Sequence, residues 1–370
     1  MIPAIKASEP LTNEEERFLH RAFQLAQYGH QNVSPNPTVG AVIVYNGEII
    51  GEGYHRVFGR SHAEINALNH VSEEKKKRIA GSTMYVSLEP CSHHGQTPPC
   101  ADAIIDAGIQ KVVIGILDPN PRVNGKGVKK MLEAGIYVKL SDLTEEAIRS
   151  NRPFLYSQVL NRPYIILKWA QTYDGYMGHA AERTKVSNRS SDILVHKWRS
   201  EIDAILVGSR TALIDDPRLN TRLVKGTSPL RILVDRQLIV PQTHNIYRDD
   251  APTWTFTRET GSSTGLKRMS TLPENEEQQL PFIIKSLHEK SIQRLMVEGG
   301  AKMLRLFISQ GIWDEARVIT SDQKIGQGVK APWVKGRLTG RDHLAGDRIE
   351  TILNEDNYET VLERCQAGIR

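Results

Sequence analysis

Cysteine is scarce in this chain, with three in 370 residues, and aromatic side chains make up only 6%. No apolar run approaches the roughly 20 residues that a membrane-spanning helix needs. Met1 to His30 contains no continuous apolar core of the signal-peptide type. These absences argue against a disulfide-built secreted scaffold and against a helical membrane protein, and they point to a reducing, cytoplasmic setting. A nucleic-acid deaminase or a zinc-stabilised RNA-binding protein would bring a basic groove interleaved with stacking aromatics. Here the basic residues are scattered. The densest run, Lys75-Lys76-Lys77-Arg78, follows Glu73-Glu74 and reads as a solvated helix face. A formal charge of +5 suits a phosphorylated small molecule and nucleic acid alike, so charge selects neither.

What is present is concentrated. Two of the three cysteines, Cys91 and Cys100, follow a predicted strand at Thr83-Met84-Tyr85-Val86-Ser87-Leu88, and His62-Ala63-Glu64 precedes it. One imidazole and two thiols are the ligand set of a zinc site that leaves a fourth position to water, and a carboxylate two residues after the imidazole can shuttle protons. A structural zinc site, a disulfide and chance co-occurrence are the alternatives, because His-Ala-Glu and Pro-Cys are each unspecific alone. Residues two apart do not share a helix face. His62 and Glu64 therefore reach one cavity together only from the first turn of a helix, and Cys100 is expected at a helix start, where the dipole favours a thiolate. Cys365 reads as a bystander.

The length implies two domains. Thr12-Asn13-Glu14-Glu15 has the form of a capping box opening a helix. Asn46-Gly47 marks a hairpin between Val39–Val44 and Glu48–Gly51. Ser34-Pro35-Asn36-Pro37 is a rigid loop whose amide is either a reader of a heterocycle or a structural turn. Strands and helices then alternate to Leu140, and a linker helix at about 144–158 is interrupted or bounded by Asn151-Arg152-Pro153. The boundary is placed near 160, giving domains 1–160 and 161–370. The second half alternates again as a mostly parallel sheet between helices. Val297-Glu298-Gly299-Gly300 runs into a helix at Ala301–Ile308, a turn able to bring backbone N–H groups to a phosphate, but without the full G-x-G-x-x-G fingerprint a plain tight turn is the simpler reading of these residues alone. Arg199 and Arg222 are either phosphate holders or surface arginines.

The array Ser34-Pro35-Asn36-Pro37, Gly53-Tyr54-His55, His62-Ala63-Glu64, Leu88-Glu89-Pro90-Cys91 through Thr97-Pro98-Pro99-Cys100, and Asp118-Pro119-Asn120-Pro121 resembles the bifunctional pyrimidine deaminase/reductase family of riboflavin biosynthesis. The eight residues between Cys91 and Cys100 are similar to that family rather than to general deaminases, which tend to have two. The second half, with Asp174-Gly175, Asp203–Gly208, Asp215–Arg222 and Val297–Gly300, looks like the reductase half of the same family.

The resemblance implies an α/β chain, with an N-terminal cytidine-deaminase-like three-layer domain and a C-terminal dihydrofolate-reductase-like domain. It implies zinc held by His62, Cys91 and Cys100, with Glu64 as the catalytic proton shuttle in loss of ammonia from a diaminopyrimidine ribotide. It then implies reduction of the ribosyl chain to ribityl by NADPH. Ala170, Thr211, Asp215 and the turn at Gly300 are expected at the cofactor. Asn36, His55, Thr184, Arg199, Leu219, Arg222 and Glu298 are expected at the pyrimidine ribotide. A homo-oligomer, dimer or higher, is implied, with neither nucleic acid nor membrane as partner.

Departures are local. Gln96 stands where the family usually has Lys or Arg, which removes a charge expected near the substrate phosphate. Thr172-Tyr173-Asp174-Gly175 replaces Ser-Leu-Asp-Gly, Val186-Ser187-Asn188 replaces Trp-Ile-Thr, and Arg236 stands at an often small position, as a surface arginine or as a contact to a cofactor phosphate. They leave open a second reading, an active deaminase whose degenerate reductase half only binds the ribotide.

Overall fold

The computed structural model describes residues 10–29, 32–92, 98–120, 123–248, 251–259 and 268–367. Gln96 lies outside the described residues. The chain forms two compact units, Met1–Asn161 together with Glu359–Arg370, and Arg162–Tyr358.

In the first unit the order is α1 (Asn13–Gln27), β1 (Gly40–Tyr45), β2 (Glu48–Tyr54), α2 (Ala63–His70), β3 (Thr83–Val86), α3 (Cys100–Asp106), β4 (Lys111–Ile114), α4 (Lys126–Glu133), β5 (Tyr137–Leu140), α5 (Thr144–Ser150) and α6 (Arg152–Leu160). The capping box forms in both directions: Thr12 Oγ1 accepts the Glu15 N–H, and the Glu15 carboxylate accepts that of Thr12. Asn46 and Gly47 both take positive φ, 48° and 77°, as a two-residue hairpin turn requires. The sheet order is β2-β1-β3-β4-β5, antiparallel from β2 to β3 and parallel from β3 to β5. Parallel strands end on the same side of a sheet, which is why the chain after β3 and the chain after β4 meet.

The linker helix is interrupted within Asn151-Arg152-Pro153. Asn151 divides α5 from α6, and Pro153, lacking an N–H, sits at the start of α6. The freed Asn151 side chain accepts from the Thr38 backbone and hydroxyl, both at 3.1 Å. The Lys75–Arg78 run lies in a short 3-10 helix, Glu73–Arg78, that buries no residue.

The second unit contains β6 (Tyr164–Gln171), α7 (Arg189–Ser200), β7 (Ala204–Gly208), α8 (Ser209–Asp215), β8 (Leu230–Val234), α9 (Asn245–Arg248), β9 (Thr253–Thr257), β10 (Met269–Thr271), α10 (Glu276–Glu289), β11 (Arg294–Val297), α11 (Ala301–Ser309), β12 (Glu315–Thr320), β13 (Arg337–Leu344) and β14 (Asp347–Leu353). A last helix, α12 (Glu355–Ala367), follows, and its residues from Glu359 group with the first unit. They include buried Val361 and Cys365, four apart on one helix face.

The nine-stranded sheet runs β10-β9-β8-β7-β11-β6-β12-β14-β13. It is parallel as far as β12, and β14 and β13 add an antiparallel edge. Ile165, Leu167, Leu206, Ile232, Leu295 and Val297 form its buried centre. At β6 and β11 the alternation turns Lys168 and Glu298 away from that core, to where a site can form.

Two departures noted in the sequence have structural explanations. Thr172 keeps a hydroxyl, which donates to Asp174 at 2.6 Å and closes the turn. Asn188 is the N-cap of α7, its Oδ1 accepting the Ser191 N–H at 2.9 Å, while its Nδ2 donates to the carbonyls of Leu344 and Ala345. Asn188→Ala is expected to destabilise the second unit by about 1–2 kcal/mol in urea unfolding. Asn188→Thr should recover the capping part and leave the two carbonyls short of a donor; equal stability of all three proteins would refute the assignment.

Candidate active site

His62 is the N-cap of α2, Glu64 lies in that helix's first turn, and Cys100 opens α3. Cys91 follows the end of β3 by five residues. His62 Nδ1 lies 3.6 Å from Cys91 Sγ and 3.3 Å from Cys100 Sγ. The three ligand atoms all fall within 4.8 Å of one another. Tetrahedral bonds of about 2.0 Å to nitrogen and about 2.3 Å to sulfur imply an N···S separation of about 3.5 Å, so the spacing fits zinc. The Cys100 thiol, with help from His62, holds Cys91 down to about 4, and the same contact drives Cys100 up.

Glu64 is 3% exposed, and its Oε2 has no hydrogen-bond partner among the described residues. Burial, with the Cys91 charge nearby, raises its pKa. An unpartnered buried carboxylate oxygen is costly unless an occupant of the site satisfies it.

His55 Nδ1 faces the Ser61 carbonyl at 3.1 Å and so must donate to it. Burial lowers the pKa of His55 and keeps the ring neutral. Its Nε2 therefore accepts from Asn36 Nδ2 at 3.1 Å, which orients the Asn36 amide, and Oδ1 makes no hydrogen bond to another described residue. His55 also packs edge-on against His62, ring centroids 5.2 Å apart.

Glu89 was not singled out as a functional residue by the sequence. Its buried carboxylate collects the backbone N–H groups of Asp118, Gly125, Gly127 and Val128 at 2.9–3.3 Å. A Cβ at Gly127 would collide with the Pro90 carbonyl. The chain leading into Cys91 is thereby fastened to the start of α4.

In the second unit, Ala170, Thr184, Arg199, Thr211, Asp215, Leu219, Arg222, Glu298 and Gly300 all line a cavity of about 1280 Å³. Arg199 grips Glu298 through two parallel hydrogen bonds, Nε to Oε1 at 2.8 Å and Nη2 to Oε2 at 2.7 Å. Lys168 Nζ is 3.8 Å from Glu298 Oε2. Burial alone would raise the Glu298 pKa, but Arg199 and Lys168 win and hold it at about 2. Lys168 is a residue that sequence reasoning passed over as part of a strand.

Thr184 lines the cavity, but its hydroxyl already accepts the His179 N–H at 2.8 Å within its own loop. Leu219 is buried with φ 52°, a sparsely populated conformation for a leucine. Gly300 has φ 26°, and a Cβ there would sit 3.0 Å from Thr211 Oγ1, so the turn after β11 is open because it carries no side chain. The cavity's size and this bare turn at a helix start fit a dinucleotide.

Fold and site define a two-part chain, a zinc-binding deaminase unit followed by a reductase-type unit. Residues 12–116 match the cytidine and deoxycytidylate deaminase zinc-binding region, and residues 163–341 match the RibD C-terminal domain. The chain is 39% identical to the riboflavin biosynthesis protein RibD of Aquifex aeolicus, over 85% of this chain and 89% of that one. It is 36% identical to RibD of Escherichia coli strain K12, over 85% and 89%. A diaminohydroxyphosphoribosylaminopyrimidine deaminase/5-amino-6-(5-phosphoribosylamino)uracil reductase from Thermotoga maritima superposes with a TM-score of 0.83 at 33% identity, covering 92% of this chain and 98% of that one. The chain belongs to the RibD family of riboflavin biosynthesis proteins.

Proposed function

We propose that the chain carries out two steps of riboflavin biosynthesis: hydrolytic deamination of a diaminopyrimidine ribotide in the first unit, then NADPH-dependent reduction of the ribosyl chain to ribityl in the second. The observation that carries the reading is the three-ligand cluster with Glu64 Oε2 buried and unpartnered beside it.

His62, Cys91 and Cys100 would hold zinc, which when bound supplies Lewis-acid activation of water. Glu64 takes a proton from the attacking water and returns it to the departing amine, so that a C–O bond forms, a C–N bond breaks and ammonia leaves. Asn36, oriented by His55, offers Oδ1 to an N–H of the pyrimidine.

In the second unit NADPH would lie along Ala170, Thr211, Asp215 and Gly300 and supply a hydride. Lys168, Arg199 and Glu298 present fixed charges to the ribotide. The Arg199–Glu298 pair is made before substrate arrives, so no reorganisation is needed at the reaction.

The test follows ammonia and NADPH together in zinc-loaded protein given only the diaminopyrimidine ribotide. Ammonia is expected first, with NADPH falling after it. Ammonia without NADPH loss would leave a deaminase whose second unit only binds ribotide, and neither change would remove the proposed activities. Chelation of zinc should stop ammonia release, and with it all NADPH loss that depends on the deaminated product.

A further inference from the structure

His196, on α7, is a buried titratable group of the second cavity that the family motifs did not single out. It is 3% exposed and lines the cavity. Its Nδ1 lies 3.1 Å from the backbone nitrogen of Arg222. A backbone N–H only donates, so Nδ1 presents its lone pair and the ring proton sits on Nε2. The charged groups that face the ring are Asp192 and Arg199 from α7 itself, Arg222 from the loop after α8, and Glu298 from the turn after β11. Burial lowers its pKa most; the two arginines add to the effect, the two carboxylates oppose it, and the result is about 4. The ring is therefore neutral at ordinary working pH. Nε2–H makes no hydrogen bond to another described residue. His196 lines the cavity, so that proton is available to an occupant that can accept it.

We propose that His196 is a substrate-positioning residue of this cavity, its Nδ1 fixing the backbone of Arg222 and its Nε2–H offered to an oxygen of the ribosyl chain or of its phosphate. The inference rests on the reductase reading given above. A neutral donor is the fitting choice beside Arg199 and Arg222: it adds a hydrogen bond to an oxygen without placing a third cation among the two already there.

Two variants separate the two roles. His196→Asn keeps an acceptor where Nδ1 stands and removes the donor, whereas His196→Gln reaches toward the Nε2 position with a donor and gives up the near acceptor. With His196→Asn the KM for ribotide in NADPH oxidation is expected to rise about 10- to 100-fold, with a smaller change in kcat. His196→Gln should recover part of that rise. Repeating the comparison with the dephosphorylated riboside locates the acceptor: a KM ratio that collapses toward one assigns it to the phosphate, and a ratio that persists assigns it to a ribosyl hydroxyl.

Long-range nitrogen–proton NMR of the wild-type protein should show the neutral Nε2–H tautomer across neutral pH, with that proton shifting when ribotide is added. An Nδ1–H tautomer, an Nε2–H indifferent to ribotide, or a KM unchanged in both variants would overturn the proposal. The NMR titration needs neither turnover nor a variant. It therefore still decides if a substitution unfolds the protein, and it keeps failure of the proposal distinct from failure of the reductase reading.

Discussion

Glu64→Gln is expected to lower ammonia release by roughly 10²- to 10⁴-fold while zinc content stays at the wild-type level. The amide preserves the volume of the side chain and can still hydrogen-bond, but it cannot take a proton from water and pass it on. None of the three ligand atoms is touched, and α2 keeps its His62 N-cap. Metal analysis alongside an ammonia assay separates this outcome from simple loss of the site. Turnover retained within a few-fold of wild type would mean that the proton moves by a route that bypasses Glu64. Supplying the deaminated ribotide directly should restore NADPH oxidation to the variant, because the second unit is unaltered.

Arg199→Met is the second large effect. The substitution leaves the Glu298 carboxylate buried with Lys168 at 3.8 Å as the remaining cation near it, in place of a two-pronged grip at 2.7 and 2.8 Å. Breaking one side of a buried charge pair costs about 3–5 kcal/mol. The sign with pH follows from the pKa of Glu298, which is depressed from 4.5 to about 2 in the folded protein. Its contribution to stability is complete above 4.5 and is lost as pH falls from there through about 2. Acid unfolding of the second unit should therefore steepen in that window for wild type and lose that component in the variant. NADPH oxidation should fail together with ribotide binding, and ammonia release should continue. Arg199→Lys is expected to restore part of the stability without the parallel geometry of a guanidinium. A variant as stable as wild type at neutral pH would show that Lys168 alone satisfies Glu298.

The parts of this protein legible in the sequence are those fixed by local chemistry. Asn46-Gly47 demanded a hairpin because few other dipeptides accept positive φ twice. Thr12 and Glu15 declared a helix start because each satisfies the other's backbone. His62, Cys91 and Cys100 stood out because thiols are rare here. Glu89, Lys168 and His196 did not stand out, since a carboxylate, a lysine and a histidine are ordinary in a sequence. Their meaning depends on partners between 26 and 130 positions away. The division of the linker helix was only half visible, because Pro153 is tolerated at a helix start as readily as it ends one. Thr184 was expected at substrate; it lines the cavity, and the contact its hydroxyl also makes, accepting the His179 N–H, depends on a loop geometry that the sequence did not display.

The pairing of β11 with β6 sets Met296 opposite Ile166 and Val297 opposite Leu167, so the next residues along each strand are Glu298 and Lys168. Side chains alternate between faces, and a slip of one residue would turn one of these two charges into the apolar centre of the sheet while its counterpart stayed outside. The same ion pair that lines the second cavity thus also acts during assembly as a check on alignment. A misaligned sheet is penalised electrostatically before any substrate is present, and loss of either charge is expected to broaden the set of structures the nascent chain samples as well as to weaken the finished site.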